Sequence, residues 1–162
     1  MSETGLDMFL NVSVNFPEIN IVKYEYNKDL LIIEVAFCRE IDLQQEKQFK
    51  DKARECIKLL HQLEESQPEI VEVRIKRLAG LTFLRYYRDV KSLSENEITL
   101  LMSLLRENFH DCLVDDGRIP ITQNSFRKHV KRDLLQKLHT SRDNTGYIFA
   151  YHDQGRLCIF NR

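Results

Sequence analysis

Hydrophobic positions along this chain follow two periods. A period of two predicts half-buried strands, and steps of three and four predict amphipathic helices. Leu10, Val12, Val14 and Phe16 alternate with Asn11, Ser13 and Asn15, which predicts a strand over 8–16 that Pro17 ends. Runs at 21–26 and 30–37 predict two more strands. Asn27-Lys28 between them suits a tight hairpin, because Asn tolerates left-handed backbone. The run Leu30 to Phe37 is apolar almost throughout and reads as a central strand covered on both faces.

The period then changes. Asp42 caps a helix with Gln45 as its partner, and Phe49, Ala53, Cys56, Leu60 and Leu63 form the apolar stripe. Pro68 stops it. Val71, Val73 and Ile75 alternate with Glu72, Arg74 and Lys76 to give a fourth strand, Ala79-Gly80 turns the chain, and Leu81 to Tyr87 give a fifth. A polar stretch, Arg88 to Leu93, follows. Strand-strand-strand-helix-strand-strand predicts an antiparallel five-stranded sheet with a covering helix over 7–90. Profilin-like, longin-like and ferredoxin-like sheets share parts of that order, and fold does not fix function.

Ser94 and Glu97 form a second capping box, leading a helix with Ile98, Leu101, Leu105, Phe109 and Cys112 inward. Asp115-Asp116-Gly117 ends it. Arg118 to Ile121 suggests a short edge strand. Phe126, Val130, Leu134 and Leu138 are spaced four apart and predict a further helix over 124–139. Runs at 147–151 and 156–160 form a hairpin around Gly155. Helix, short strand, basic helix and hairpin over 94–162 resemble a winged-helix module. The expected architecture is therefore α+β, with a sheet-plus-helix domain at 7–90 and a winged-helix-like segment at 91–162. The two segments stand apart or pack as one unit.

Composition narrows the function classes. Of 162 residues, 43% are hydrophobic and 30% charged, as expected of a globular protein. With 24 basic and 25 acidic residues the net charge is −1, so an electrostatic partner must meet a local patch rather than the whole molecule. Cys38, Cys56, Cys112 and Cys158 form no Cys-x-x-Cys pair and sit in apolar runs, which reads as reduced core thiols. The start of the chain does not read as a signal peptide and no run suits a membrane span, so a cytoplasmic protein is expected.

No motif for catalysis, cofactor binding or metal binding emerges. His61, His110, His129, His139 and His152 make no paired-histidine helix motif, and no Gly-rich phosphate loop or nucleophile elbow occurs. Residues 122–142 carry six basic side chains and one acid, Asp133, a local excess of five positive charges. Arg127, Lys128, Lys131, Arg132, Lys137, Arg142 and, on the hairpin, Arg156 are therefore the candidate phosphate contacts to DNA or RNA. Phe83, Tyr86 and Tyr87 with Arg85 and Arg88 form a second, single-strand stacking candidate. These features predict a non-enzymatic regulatory or accessory protein that binds nucleic acid, with a protein partner or homodimer formed through the N-terminal sheet. The competing prediction is a protein–protein adaptor without nucleic-acid contact. A sheet covered on one face offers the other, or an edge, to a partner chain.

Overall fold

The computed structural model describes residues 3–114, 146–153 and 156–161. Its elements are α1 (Glu3–Asn15), β1 (Ile21–Glu25), β2 (Leu30–Phe37), α2 (Leu43–Leu63), β3 (Val71–Leu78), β4 (Leu81–Asp89), α3 (Glu95–Phe109), β5 (Tyr147–Asp153) and β6 (Arg156–Asn161). The strands form one antiparallel six-stranded sheet in the order β3-β4-β2-β1-β5-β6.

The first element is a helix, not the strand that alternation at 10–16 predicts. The same residues also hold a helical repeat, Leu6, Phe9, Val12 and Phe16. Phe9 and Val12 are fully buried, whereas Val14 is exposed. Packing decides between two overlapping periods, and the helical set is the one that reaches the core. Ser13, buried on the same side, is satisfied within the helix by donating to the Phe9 carbonyl at 2.6 Å.

Strands β1 and β2 form as predicted, but Asp29 takes the left-handed position of their turn, at φ 48°. Asp42 caps α2, and Gln45 completes the capping box. The buried side of α2 is Phe49, Ala53, Ile57 and His61, so the stripe turns one position away from Cys56 and Leu60, and Leu63 is left exposed. Ala79 and Gly80, both at positive φ, close the β3–β4 hairpin.

Alternation along the strands gives the sheet two unlike faces. Paired residues share a face. Val22, Tyr24, Leu31, Ile33, Val35, Phe37, Leu84, Tyr86, Ile148 and Ala150 join side chains of all three helices in one core. The opposite face holds a small separate cluster of Ala36, Phe83 and Val114.

The chain following α3 runs alongside β2, where Leu113 bridges Phe37. Asn20 spans the gap beyond the start of β1. Its Oδ1 accepts from the Ala36 N–H at 2.8 Å, and its amide donates to the Val114 carbonyl. Gly146, ahead of β5, lies against Tyr26 so closely that a Cβ would fall 1.5 Å from the hydroxyl, so a larger residue there needs the Tyr26 ring to move.

The expected wing is not a wing. The 147–160 hairpin forms β5 and β6 and joins the main sheet through β1–β5 pairing. The five-strand expectation becomes six, because one predicted strand is α1 and two come from this hairpin. No winged-helix arrangement is seen among the described residues.

Candidate interaction surface

Position 88 falls on the helix-covered face, in step with Leu84 and Tyr86, so the β4 backbone carries a cation inside. Arg88 is 1% exposed and Glu97, on α3, is 0%. Arg88 Nε donates to Glu97 Oε2 at 2.6 Å and Nη2 to Oε1 at 3.0 Å, a bidentate pair. Nη1 donates to the Ile70 carbonyl at 2.8 Å and to Asp89, and Nη2 also donates to the Ser92 carbonyl at 3.1 Å. All five guanidinium donors are thereby used.

Glu97 is equally saturated. Tyr86 donates its hydroxyl to Oε2 at 2.7 Å, and His61, from α2, meets Oε1 through Nε2. A carboxylate paired to arginine only accepts, so His61 carries its proton on Nε2. Asp89 Oδ1 accepts from the Glu69 and Ile70 N–H groups at 3.1 and 2.9 Å, and Ser92 donates to its other oxygen.

Burial and the adjacent Glu97 both raise the Tyr86 pKa far above the ordinary phenol. Burial alone would lower the Arg88 pKa, but Glu97 overrides it and the net shift is upward. Burial likewise pushes Asp89 upward, and the Ser92 hydroxyl, the Ile70 N–H and Arg88 together pull it below its ordinary value. Every donor and acceptor of the guanidinium and the Glu97 carboxylate is engaged inside the core. The knot therefore fastens β4, α2, α3 and the start of β3, and holds no group open to a substrate. It also dismantles the stacking candidate. Tyr86 and Arg88 point inward, while Phe83, Arg85 and Tyr87 are on the opposite face, where Arg85 pairs with Glu34 at 2.6 Å and Arg74 lies over Tyr87 at 4.6 Å.

Sequence reasoning missed Glu97 and Arg88 as partners. The Ser94-to-Glu97 spacing predicts a full capping box, but only the Ser94 half forms, with Ser94 accepting from the Glu97 N–H at 3.2 Å. The available signal was position. Glu97 shares a helix face with Leu101 and Leu105, and Arg88 extends the buried alternation of Leu84 and Tyr86.

On the far face, aromatic residues gather at the β5–β6 end. Phe149 and Phe160 stack at 5.1 Å, and Tyr151 and Phe160 at 5.7 Å with an interplanar angle of 6°. Lys23 lies over Tyr147 at 4.3 Å. Tyr147 and Phe149 are themselves buried.

The two sheet edges differ in kind. β3 exposes Glu72, Arg74 and Lys76, with Glu72 and Arg74 paired at 2.7 Å, and charge on an edge opposes further strand pairing. β6 reads Arg-Leu-Cys-Ile-Phe-Asn. Ile159 is 46% and Phe160 47% exposed, and among the described residues nothing pairs with its outer side.

Of the predicted phosphate contacts, Arg127, Lys128, Lys131, Arg132, Lys137 and Arg142 lie outside the described residues, as do the short strand at 118–121 and the helix at 124–139. Arg156 opens β6, exposed and opposite Asp153. The four cysteines are free thiols, and burial pushes Cys112 up to about 11. Among the described residues no cluster of His, Cys, Asp and Glu could hold a metal ion, and no helix is long and apolar enough to cross a membrane. The chain matches no family model, no curated protein and no solved structure.

Proposed function

We propose that the chain is a non-enzymatic interaction module that engages a protein partner through the β6 edge of its sheet. One observation carries this reading: among the described residues β6 presents an unpaired edge whose exposed centre is apolar, while β3 at the opposite end carries Glu72, Arg74 and Lys76 between its exposed Val71 and Leu78. An exposed edge offers backbone donors and acceptors in register for an added strand, and Ile159 and Phe160 add apolar contact above and below it.

The test places a photo-crosslinking side chain at position 160 and, in a separate variant, at position 72. A protein adduct at 160 that is absent at 72 and lost in Ile159→Lys supports the module. Equal labelling at both edges, or none at either, sinks it.

A second reading, nucleic-acid binding, rests on the net five positive charges of residues 122–142. Its test is binding to generic duplex and single-stranded DNA and RNA at low and moderate salt, repeated with Lys128, Lys131 and Arg132 changed to Ala. Salt-sensitive binding abolished by the triple change favours this reading, and its absence at low salt ends it.

A further inference from the structure

We infer that the strand received by β6 is the β6 of a second copy of this chain, paired antiparallel about Cys158. The inference rests on the interaction-module reading and names its partner.

The argument starts from symmetry. Two identical edges pair most simply about a two-fold axis, each strand running against its copy. With the axis perpendicular to the sheet, both helix-covered faces stay on one side. Residues directly opposite in a ladder point the same way, so each residue must face one of equal parity. Only Cys158 or Ile159 can then sit on an axis near the middle of the strand.

Side-chain pairing chooses between them. Centring on Cys158 sets Arg156 against Phe160 of the second copy and Leu157 against its Ile159. Phe160 is half-exposed, so a guanidinium can lie over its ring, and the aliphatic pair closes the other face. The two Arg156 residues then stand at opposite ends of the contact. Centring on Ile159 sets Leu157 against Asn161, apolar against polar, and leaves Arg156 with no aromatic ring opposite it among the described residues.

The other edge suits the same operation less well. About Arg74 it sets Arg74 on Arg74, with Glu72 facing Lys76 to either side, and about Ile75 it sets Arg74 on Lys76. Each central register of β3 thus places cation against cation at or beside the axis, whereas the Cys158 register of β6 opposes no like charges. A six-residue edge spans about 20 Å, so the contact is small and the dimer is of the weak, concentration-dependent kind.

Sedimentation velocity under reductant, from about 5 to about 300 µM as a small interface requires, tests the pairing. The expected mass rises from 19.3 kDa toward twice that value. Ile159→Lys is expected to hold the chain at the monomer mass with an unchanged circular dichroism spectrum. If Ile159→Lys does not fold, Phe160→Lys on the opposite face replaces it. Wild type that stays monomeric throughout overturns self-pairing but leaves the interaction module standing if position 160 still crosslinks to another protein. A dimer indifferent to both lysine variants moves the contact off β6 and also overturns the inference.

The register is read separately with diamide, in a Cys38→Ser background because Cys38 is exposed. Two thiols give up two protons and two electrons to the azo group, which becomes the hydrazide, and one S–S bond forms. A covalent dimer whose only crosslinked peptide joins Cys158 to Cys158, lost in Cys158→Ser, is the expected result. A dimer linked through Cys56 with Cys158 still reduced overturns the Cys158 axis.

Discussion

The arginine at the end of β4 and the isoleucine and phenylalanine of β6 both break the rule that charge faces water and apolar groups face the core. They break it in opposite directions. Arg88 enters the interior with all five donors used and with Glu97 saturated in turn. Such a cluster costs desolvation, and what it supplies is geometry, because α2, α3 and β4 must meet in one arrangement to satisfy it. Ile159 and Phe160 have no such compensation within the described residues. Their exposure costs the folded chain little and leaves an apolar strand at the edge of the described sheet. The inward exception is therefore expected to govern stability, and the outward one association.

Breaking the knot should give the largest effect. Glu97→Ala leaves a guanidinium buried without its counter-ion, with an expected loss of about 3–5 kcal/mol in urea unfolding. The double change Arg88→Met with Glu97→Ala should lose less than the two single changes added together. Simple additivity would mean that the two side chains do not act as a pair.

Tyr86→Phe removes one donor while Arg88 and His61 still hold the carboxylate. The expected cost is about 1–2 kcal/mol by the same measurement. Dimer mass should not move, and a change there would couple the two regions.

The pH dependence follows from Asp89, whose pKa in the folded protein is depressed. Its contribution is fully present above the ordinary carboxyl value of 3.8 and is lost as pH falls through the lower folded value. Thermal midpoints followed from pH 6 to pH 2 should fall in that acid window, and Asp89→Asn should flatten that part of the curve.

Smallest for stability is the edge itself. Ile159→Lys should stay within about 0.5 kcal/mol of wild type, as exposed substitutions do, while association is lost. The converse change sharpens the contrast. Arg74→Val with Lys76→Ile makes β3 resemble β6, and light scattering should then report assemblies larger than a dimer, because each copy carries two adhesive edges.

Most of the local structure was legible in the sequence. The cap at Asp42, the turn at Ala79-Gly80 and the strands expected at 21–26, 30–37 and 71–76 follow from residue chemistry over a few positions, and strands formed there at Ile21–Glu25, Leu30–Phe37 and Val71–Leu78. The segment at 10–16 was ambiguous because its apolar residues satisfy both periods. The buried knot was only partly legible. Glu97 is a good capping residue by its neighbours, and its true partners are 9, 11 and 36 positions away.

By itself the sequence determined the helix starts at Asp42 and Ser94, the Ala79-Gly80 turn and the strand period of β2, because capping, turn chemistry and side-chain period act over one or two turns of chain. Tertiary structure decided which face each element shows. It turned Arg88 inward, placed β5 beside β1 and left β6 at an edge. Those outcomes depend on which distant strand pairs with which, and strand pairing is a contest among all edges that no local window contains.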